Sequence, residues 1–189
     1  MNYTEIEDKY KDLINKAKEI MSDINDYEHN INHTLDVVEY TKELIDKLNI
    51  DIGVDICIIS AYWHDVGRIK KDQGHEELSA SMLKEEMLKY NYDNNLINDC
   101  YKAIINHKWN MQPETNEGLI IKDADKLAFL GKNRWMECLN HNYKLDSIIK
   151  LLPKLKNEIL YFDESREIYD KLIIELVNIL YEKVYYGDN

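Results

Sequence analysis

The sequence predicts an all-α protein. Its 189 residues include only six Gly and two Pro, and the composition leans on Leu, Ile, Lys and Glu. Apolar residues recur at steps of three and four, the spacing that gives a helix one buried face. That length also suits one core of substantial size.

The elements follow in order. Between residues 4 and 22, Ile6, Tyr10, Leu13, Ile14, Ala17, Ile20 and Met21 keep close to a 3.6-residue period, which predicts a first amphipathic helix. Polar residues 22–26 end it. A second helix is expected from Tyr27 to Leu48, with Ile31, Leu35, Val38, Leu44, Ile45 and Leu48 on one broad face. His29, His33 and Val37 stand four residues apart, so the two imidazoles share a side. The third helix, 53–66, is apolar nearly all round and is expected to be the most buried, with Gly67 placed to end it. A basic loop over 67–74 carries Arg68, Lys70 and Lys71. Further helices are expected at 75–90, 94–107 and 116–130, separated by Asn91-Tyr92-Asp93 and by a Trp109-to-Thr115 loop with Pro113. The pattern continues at 132–142, 145–160 and 164–185. With no repeat, low-complexity stretch or linker, the chain reads as one helical-bundle domain over 1–189, with its motif-bearing core at about 27–135.

A net charge of −12 excludes a broad basic face for duplex nucleic acid, whose binding rests on phosphate neutralisation. It leaves room for a small phosphorylated substrate in a locally positive cleft. Cys57, Cys100 and Cys138 are odd in number and widely spaced, the pattern of reduced thiols. No signal-peptide core and no membrane-length apolar run are present, so a soluble, cytoplasmic protein is expected.

The chemistry centres on His64-Asp65, at the end of the apolar run. Chance alone supplies a His-Asp pair in roughly every second chain of this composition. Its weight comes from His33 upstream and Asp125 downstream. Two imidazoles and two carboxylates on three helices form a mixed N/O set that suits several first-row divalent ions. Taken singly, each has an ordinary alternative: His33 as a half-exposed polar residue, Asp125 as a partner of Lys122 or Lys126.

As an ordered set, His33…His64-Asp65…Asp125 resembles the H…HD…D signature of the HD-domain superfamily of metal-dependent phosphohydrolases. His29-Asn30-Ile31-Asn32-His33 looks like that family's opening helix, and His64-Asp65-Val66-Gly67-Arg68 resembles its HD-x-G-[RK] turn. Gly74-His75-Glu76-Glu77 is similar to its histidine-bearing helix start, and Asp123-Ala124-Asp125-Lys126-Leu127 to its closing motif. The resemblance implies a helical bundle of the HD-domain type with an ion at the bottom of a cleft. It also implies hydrolysis of a phosphoester or phosphoanhydride, usually in a nucleotide. His33, His64, Asp65 and Asp125 would be the metal ligands, with Asp65 also the catalytic residue that orients the attacking water.

Members with two ions use extra histidines between the HD pair and the last aspartate. His75 and His107 stand at matching places, as second-ion ligands or as residues that line the cleft and touch substrate. The ion is a divalent metal (Mn, Co, Ni, Fe, Zn or Mg), in one copy or two. Arg68, Lys126 and His29 are the candidates for phosphate or substrate binding. Lys70, Lys71, Lys122, Lys132 and Arg134 add positive charge nearby in sequence. Trp63 is expected in the core; Trp109, in the loop after His107, is a candidate for the cleft wall that the sequence alone does not place there, and His141 carries no motif. Lys108-Trp109-Asn110 replaces the Gly-Tyr-Pro that follows the histidine in cyclic-dinucleotide members. Two other readings stay open: a non-catalytic metal- or nucleotide-binding regulatory module, and di-iron oxygenase chemistry. The stripe Ile168, Leu172, Ile173, Leu176, Ile179 and Leu180 suits either the core or a homodimer contact.

Overall fold

The structure, a computed structural model, describes residues 2–26, 28–132, 134–136 and 149–186, the last four of these without side chains. It is all-α, with no strand among the described residues. The first predicted helix is two helices, α1 (Tyr3–Lys9) and α2 (Lys11–Ser22). The break falls at Tyr10 (φ −110°, ψ 21°). That ring is buried, and its hydroxyl donates to Asp55 Oδ2 at 2.8 Å, so tertiary packing overrides a periodic pattern. Helix α3 (Ile31–Lys47) begins four residues later than expected. The Asn30 side chain caps it, accepting from the backbone N–H groups of Asn32 and His33.

Helix α4 (Val54–Trp63) is the centre of the bundle: every residue from Cys57 to Trp63 is buried. It packs against α3, α6 (Asn94–Ile105) and α7 (Asn116–Ala128). The Trp63 indole N–H donates to Leu13 O at 3.1 Å, which satisfies its one polar atom inside the core. Helix α5 (His75–Lys89) lies on α6 and on the turn after α4. Asp93 caps α6, accepting from Asn95 and Leu96, and Thr115 caps α7, accepting from Gly118. A long helix, α8 (Asp163–Tyr186), ends the described chain. Most of the expected helix at 132–142 falls outside the described residues, with Cys138 and His141, as do residues 145–148 of the one expected at 145–160. What is described of the second is a short turn (Leu152–Lys154) and a π-helical turn (Leu155–Ile159).

Gly67 departs from expectation. The α-helix stops at Trp63, Asp65 leaves the helical region (φ −109°, ψ 1°), and Val66–Ile69 forms a 3-10 turn that contains Gly67. Among described glycines only Gly74, before α5, has a left-handed φ (75°). Gly67 is required for space: a Cβ there would stand 2.3 Å from His75 O and 2.8 Å from Ser79 N. Its own N–H donates to Ser79 Oγ at 2.8 Å, so the turn after α4 lies directly on the first turns of α5.

The α8 N-terminus hangs on α7. Asp123, fully buried, accepts from the backbone N–H groups of Tyr161 and Phe162 at 3.0 Å. In α8, Ile168 and Leu176 are buried and Leu172, Ile173 and Leu180 pack partly against the core. The exposed stripe is a different one, Ile174, Val177 and Tyr181. No helix of the described residues is long and apolar enough to cross a membrane.

The close approach at Gly67 is testable. Gly67→Ala should cost on the order of 2 kcal/mol, because the obstructing atoms are backbone and cannot rotate away. Thermal denaturation by circular dichroism reads it; an unchanged midpoint would show that α5 can move aside freely.

Candidate metal centre

Six side chains meet where the ends of α4 and α6 face α3, α5 and α7. His33 stands in the first turn of α3, His64 at the end of α4, His75 at the start of α5, His107 just past α6 and Asp125 in the third turn of α7. Asp65 lies among them, with its two oxygens facing opposite ways. Oδ2 is 3.8 Å from His33 Nε2 and 3.6 Å from His64 Nε2. Oδ1 is 2.9 Å from His75 Nε2 and 3.7 Å from His107 Nε2. Asp125 Oδ1 completes the first side, 3.2 Å from His33 Nε2. The ligand-type atoms fall into two tight groups, His33–His64–Asp125 and Asp65–His75–His107, joined through the Asp65 carboxylate. His64 and Asp65 both reach the centre because the α-helix ends between them, which removes the 100-degree divergence of helical neighbours.

The local backbone orients the rings. Nδ1 of His64 lies 2.9 Å from Ala61 O, Nδ1 of His75 lies 2.6 Å from Asp72 O, and Nδ1 of His107 lies 2.7 Å from Ile104 O. A carbonyl only accepts, so each Nδ1 is the donor and each Nε2 turns a lone pair inward, the arrangement of metal-binding histidines. Burial pushes the His33 imidazole down and that of His64 to about 3, which keeps both neutral. Burial works to raise Asp65 and Asp125. The surrounding rings and Arg68 outweigh it at Asp65, and Lys126 and His33 do so at Asp125; both stay well below the usual carboxylate range. Neutral imidazoles with ionised carboxylates are the protonation states that a cation demands of its ligands.

Unpartnered atoms test the fit. His33 Nε2, His64 Nε2 and both Asp65 oxygens are buried without a partner in hydrogen-bond geometry, although ion pairs approach them closely. Each such atom costs about 1–3 kcal/mol unless something else satisfies it. On the other side, His75 Nε2 and His107 Nε2 are 3.3 Å apart beside Asp65 Oδ1, three electron-rich atoms together. Only a proton or a cation among them relieves that conflict. The donor set therefore fits one divalent ion in the first group and has room for a second.

Above the centre opens a cleft of about 310 Å³, with His75, His107 and Asp125 in its floor and His29, Arg68, Lys108, Trp109, Asn110, Lys126, Phe129, Arg134 and Leu151 around them. Arg68 reaches down to Asp65, Nε to Oδ2 at 2.8 Å, and sideways to Asp72. Lys126 pairs with Asp125 and lies 5.4 Å over the Trp109 ring. Arg134 lies 4.7 Å over Phe129. Lys108 pairs with Glu76 at 2.7 Å. His29 sits at the rim with Nδ1 3.1 Å from Asp26 Oδ2, and this contact lowers Asp26 to about 2 against the opposing effect of burial.

The three residues expected at the phosphate, Arg68, Lys126 and His29, thus line one cleft, as does Trp109. Lys70, Lys71 and Lys132 are exposed outside it, and the Lys122 amine instead donates to Met111 O at 2.5 Å. Lys108, Asn110, Phe129 and Glu76 were not anticipated. Adjacency to His75 and His107 was the signal for Glu76 and Lys108, and Phe129 stands one turn after Asp125.

Residues 30–130 match the HD domain family, over half of the chain. The protein belongs to the HD domain family. Two solved structures share its fold. One is a predicted HD superfamily hydrolase from an uncultured Thermotogales bacterium, at TM-score 0.72 and 22% identity over all of both chains. The other is Bacillus subtilis YpgQ in complex with ADP, at TM-score 0.66 and 19% identity over 99% of this chain and 98% of that one. No curated protein matches the sequence.

For this HD domain the divided Asp65 carboxylate makes a sharp expectation. Asp65→Ala should remove all bound divalent ion, whereas His75→Ala or His107→Ala should lower an ion count of two per chain to one. Elemental analysis of native protein loaded with manganese reads this; if neither histidine change alters the count, the second group holds no ion.

Proposed function

We propose that the protein is a metal-dependent phosphohydrolase that cleaves a phosphoester or phosphoanhydride in a nucleotide or similar small phosphorylated metabolite. The observation that carries this is one juxtaposition. A buried His/Asp centre forms the floor of a cleft whose rim bears Arg68, Lys108, Lys126 and Arg134, in a chain of net charge −12. Positive charge gathered at one place in an acidic protein is what a phosphorylated ligand requires.

In this reading His33, His64, Asp65 and Asp125 hold a divalent ion, and His75 and His107 join Asp65 around a second. Bound there, such an ion lowers the pKa of water and polarises a phosphoryl oxygen. The protein's residues supply the rest. Asp65, fixed at the end of α4, orients the attacking water; Arg68 and Lys126 hold phosphate oxygens; Trp109, Phe129 and Leu151 exclude bulk water from one wall. The exposed side of that aromatic wall suits a nucleobase, and the ADP in the complex of similarly folded YpgQ agrees with a nucleotide ligand. We further place the chain in the cytoplasm as one domain, with Cys57 and Cys100 free and buried, and with a homodimer as the assembly to test.

A panel of generic phosphate esters and nucleotides, screened with manganese, cobalt, nickel and magnesium, should show turnover that Asp65→Ala abolishes. Tight nucleotide binding without turnover under every ion would favour the regulatory-module reading instead, and activity confined to an iron-loaded, oxygen-consuming preparation would favour the oxygenase one. Arg68→Ala should lower turnover at least tenfold and leave ion content intact. Trp109→Ala should raise KM for a nucleotide about tenfold, the loss of one base stack, with little effect on a phosphate ester that lacks a base. Equal effects on both substrates would remove the base from that wall.

A further inference from the structure

Arg68 and Lys126 each approach a carboxylate that the metal reading assigns to an ion. Arg68 Nε is 2.8 Å from Asp65 Oδ2, and the Lys126 amine is bonded to Asp125 Oδ2. Both carboxylates are almost fully buried, and Lys126 is buried with them. Both cations also line the cleft above the centre. They therefore occupy two positions in the electrostatics at once, as counter-ions to the ligand set and as walls of the space in which phosphate would sit.

The charge count has a consequence. Asp65 and Asp125 contribute two negative charges, and Arg68 and Lys126 two positive ones, so this group of four is neutral as it stands. One divalent ion held by the same carboxylates would leave the group with two excess positive charges in a place where uncompensated charge is costly, and a second ion beside Asp65 would add to that excess. A phosphate dianion in the cleft offsets two of these charges. We propose that Lys126 and Arg68 are exchange cations: they hold the ligand carboxylates until a divalent ion takes them, and are then released to the phosphate of the substrate. The inference rests on the metal-centre reading above. It adds that ion and phosphate binding are coupled through two named side chains.

The geometry suits the exchange. Lys126 ends in a compact ammonium on a flexible four-carbon stem, which can turn from Asp125 toward the cleft while keeping its place over the Trp109 ring. Arg68 is steadied from outside by Asp72 Oδ1 at 3.2 Å, and its Nε contact to Asp65 lacks hydrogen-bond geometry, so little directed bonding is lost when it lets go. Because coupling between two ligands is reciprocal, a cation that competes with the ion for a carboxylate must weaken ion binding alone and strengthen it when phosphate is present.

Two titrations test this on the whole protein. In the first, manganese is titrated without any anion into wild type, Lys126→Met and Arg68→Met, by calorimetry. Exchange predicts that each methionine variant binds manganese about tenfold more tightly, within the usual range of coupling between sites. In the second, inorganic phosphate is titrated into each protein with and without saturating manganese. Exchange predicts that manganese tightens phosphate binding strongly in wild type and about tenfold less in Lys126→Met, with Lys126→Arg restoring the wild-type pattern. Residues that only contact phosphate would weaken phosphate binding and leave manganese affinity alone; that result overturns the exchange and spares the metal centre. Manganese binding weakened in both variants also overturns it. Wild-type protein that binds no divalent ion overturns the metal centre and the exchange together.

Discussion

The charge on Asp65 is the constraint around which the rest of the molecule is arranged. A carboxylate this deeply buried survives only where positive charge lies beside it. Arg68, on the turn after α4, supplies one such charge, and four imidazole Nε2 atoms from α3, the end of α4, the start of α5 and the end of α6 converge on the same carboxylate as ligands for a cation. The demands of that arrangement explain features that otherwise look unrelated. Helix α4 is apolar on all sides because it must carry His64 and Asp65 into the middle of the bundle. It stops at Trp63 so that both side chains face one centre. Gly67 then lets α5 approach closely enough for His75 to reach the far oxygen of Asp65.

Much of this was legible in the sequence because ionisable residues stood where the apolar pattern left no reason for them. His64-Asp65 closes a run with no polar face, whereas Asp125 stands in a charged stretch, Lys122 to Lys126, and is picked out only by its order after His33 and His64-Asp65. The all-helical class followed from composition and periodicity together. Helix α4 was expected to be the most buried, yet α7 is buried over 11 of its 13 residues against 7 of 10 in α4, because it is enclosed by helices that the sequence does not place. Other features depended on contacts between segments far apart in the chain. The break at Tyr10 exists because the ring turns inward to Asp55, a partner 45 residues away, and no local pattern announces it. Gly67 was read as a helix terminator, since glycine most often serves that way. Its actual requirement is set by α5, which the sequence places only loosely.

The cleft was the least legible part. Charge clustering pointed to seven basic residues, yet only Arg68, Lys126 and Arg134 of that group line the opening. Lysines in a loop look alike in sequence whether they face solvent or a ligand. The third dimension also revealed a regularity: basic groups lie over aromatic faces, Lys126 over Trp109 and Arg134 over Phe129, with the two rings edge to face at 6.0 Å. Stacked in this way, the cations lose little freedom by staying near the cleft.

The Asp123 anchor gives the C-terminal helix a part in the site that it never touches. Asp123 and Asp125 lie within one turn of α7, one facing the start of α8 and the other facing the metal centre. Removing everything after Leu160 would do more than shorten the protein. It would strand a buried carboxylate without its backbone donors, two residues from a candidate ligand, and invite α7 to rotate until that charge found water. The same rotation would carry Asp125 away from His33. In this architecture the tail of the chain serves as a keel, and the alignment of the centre depends on weight hung well outside it.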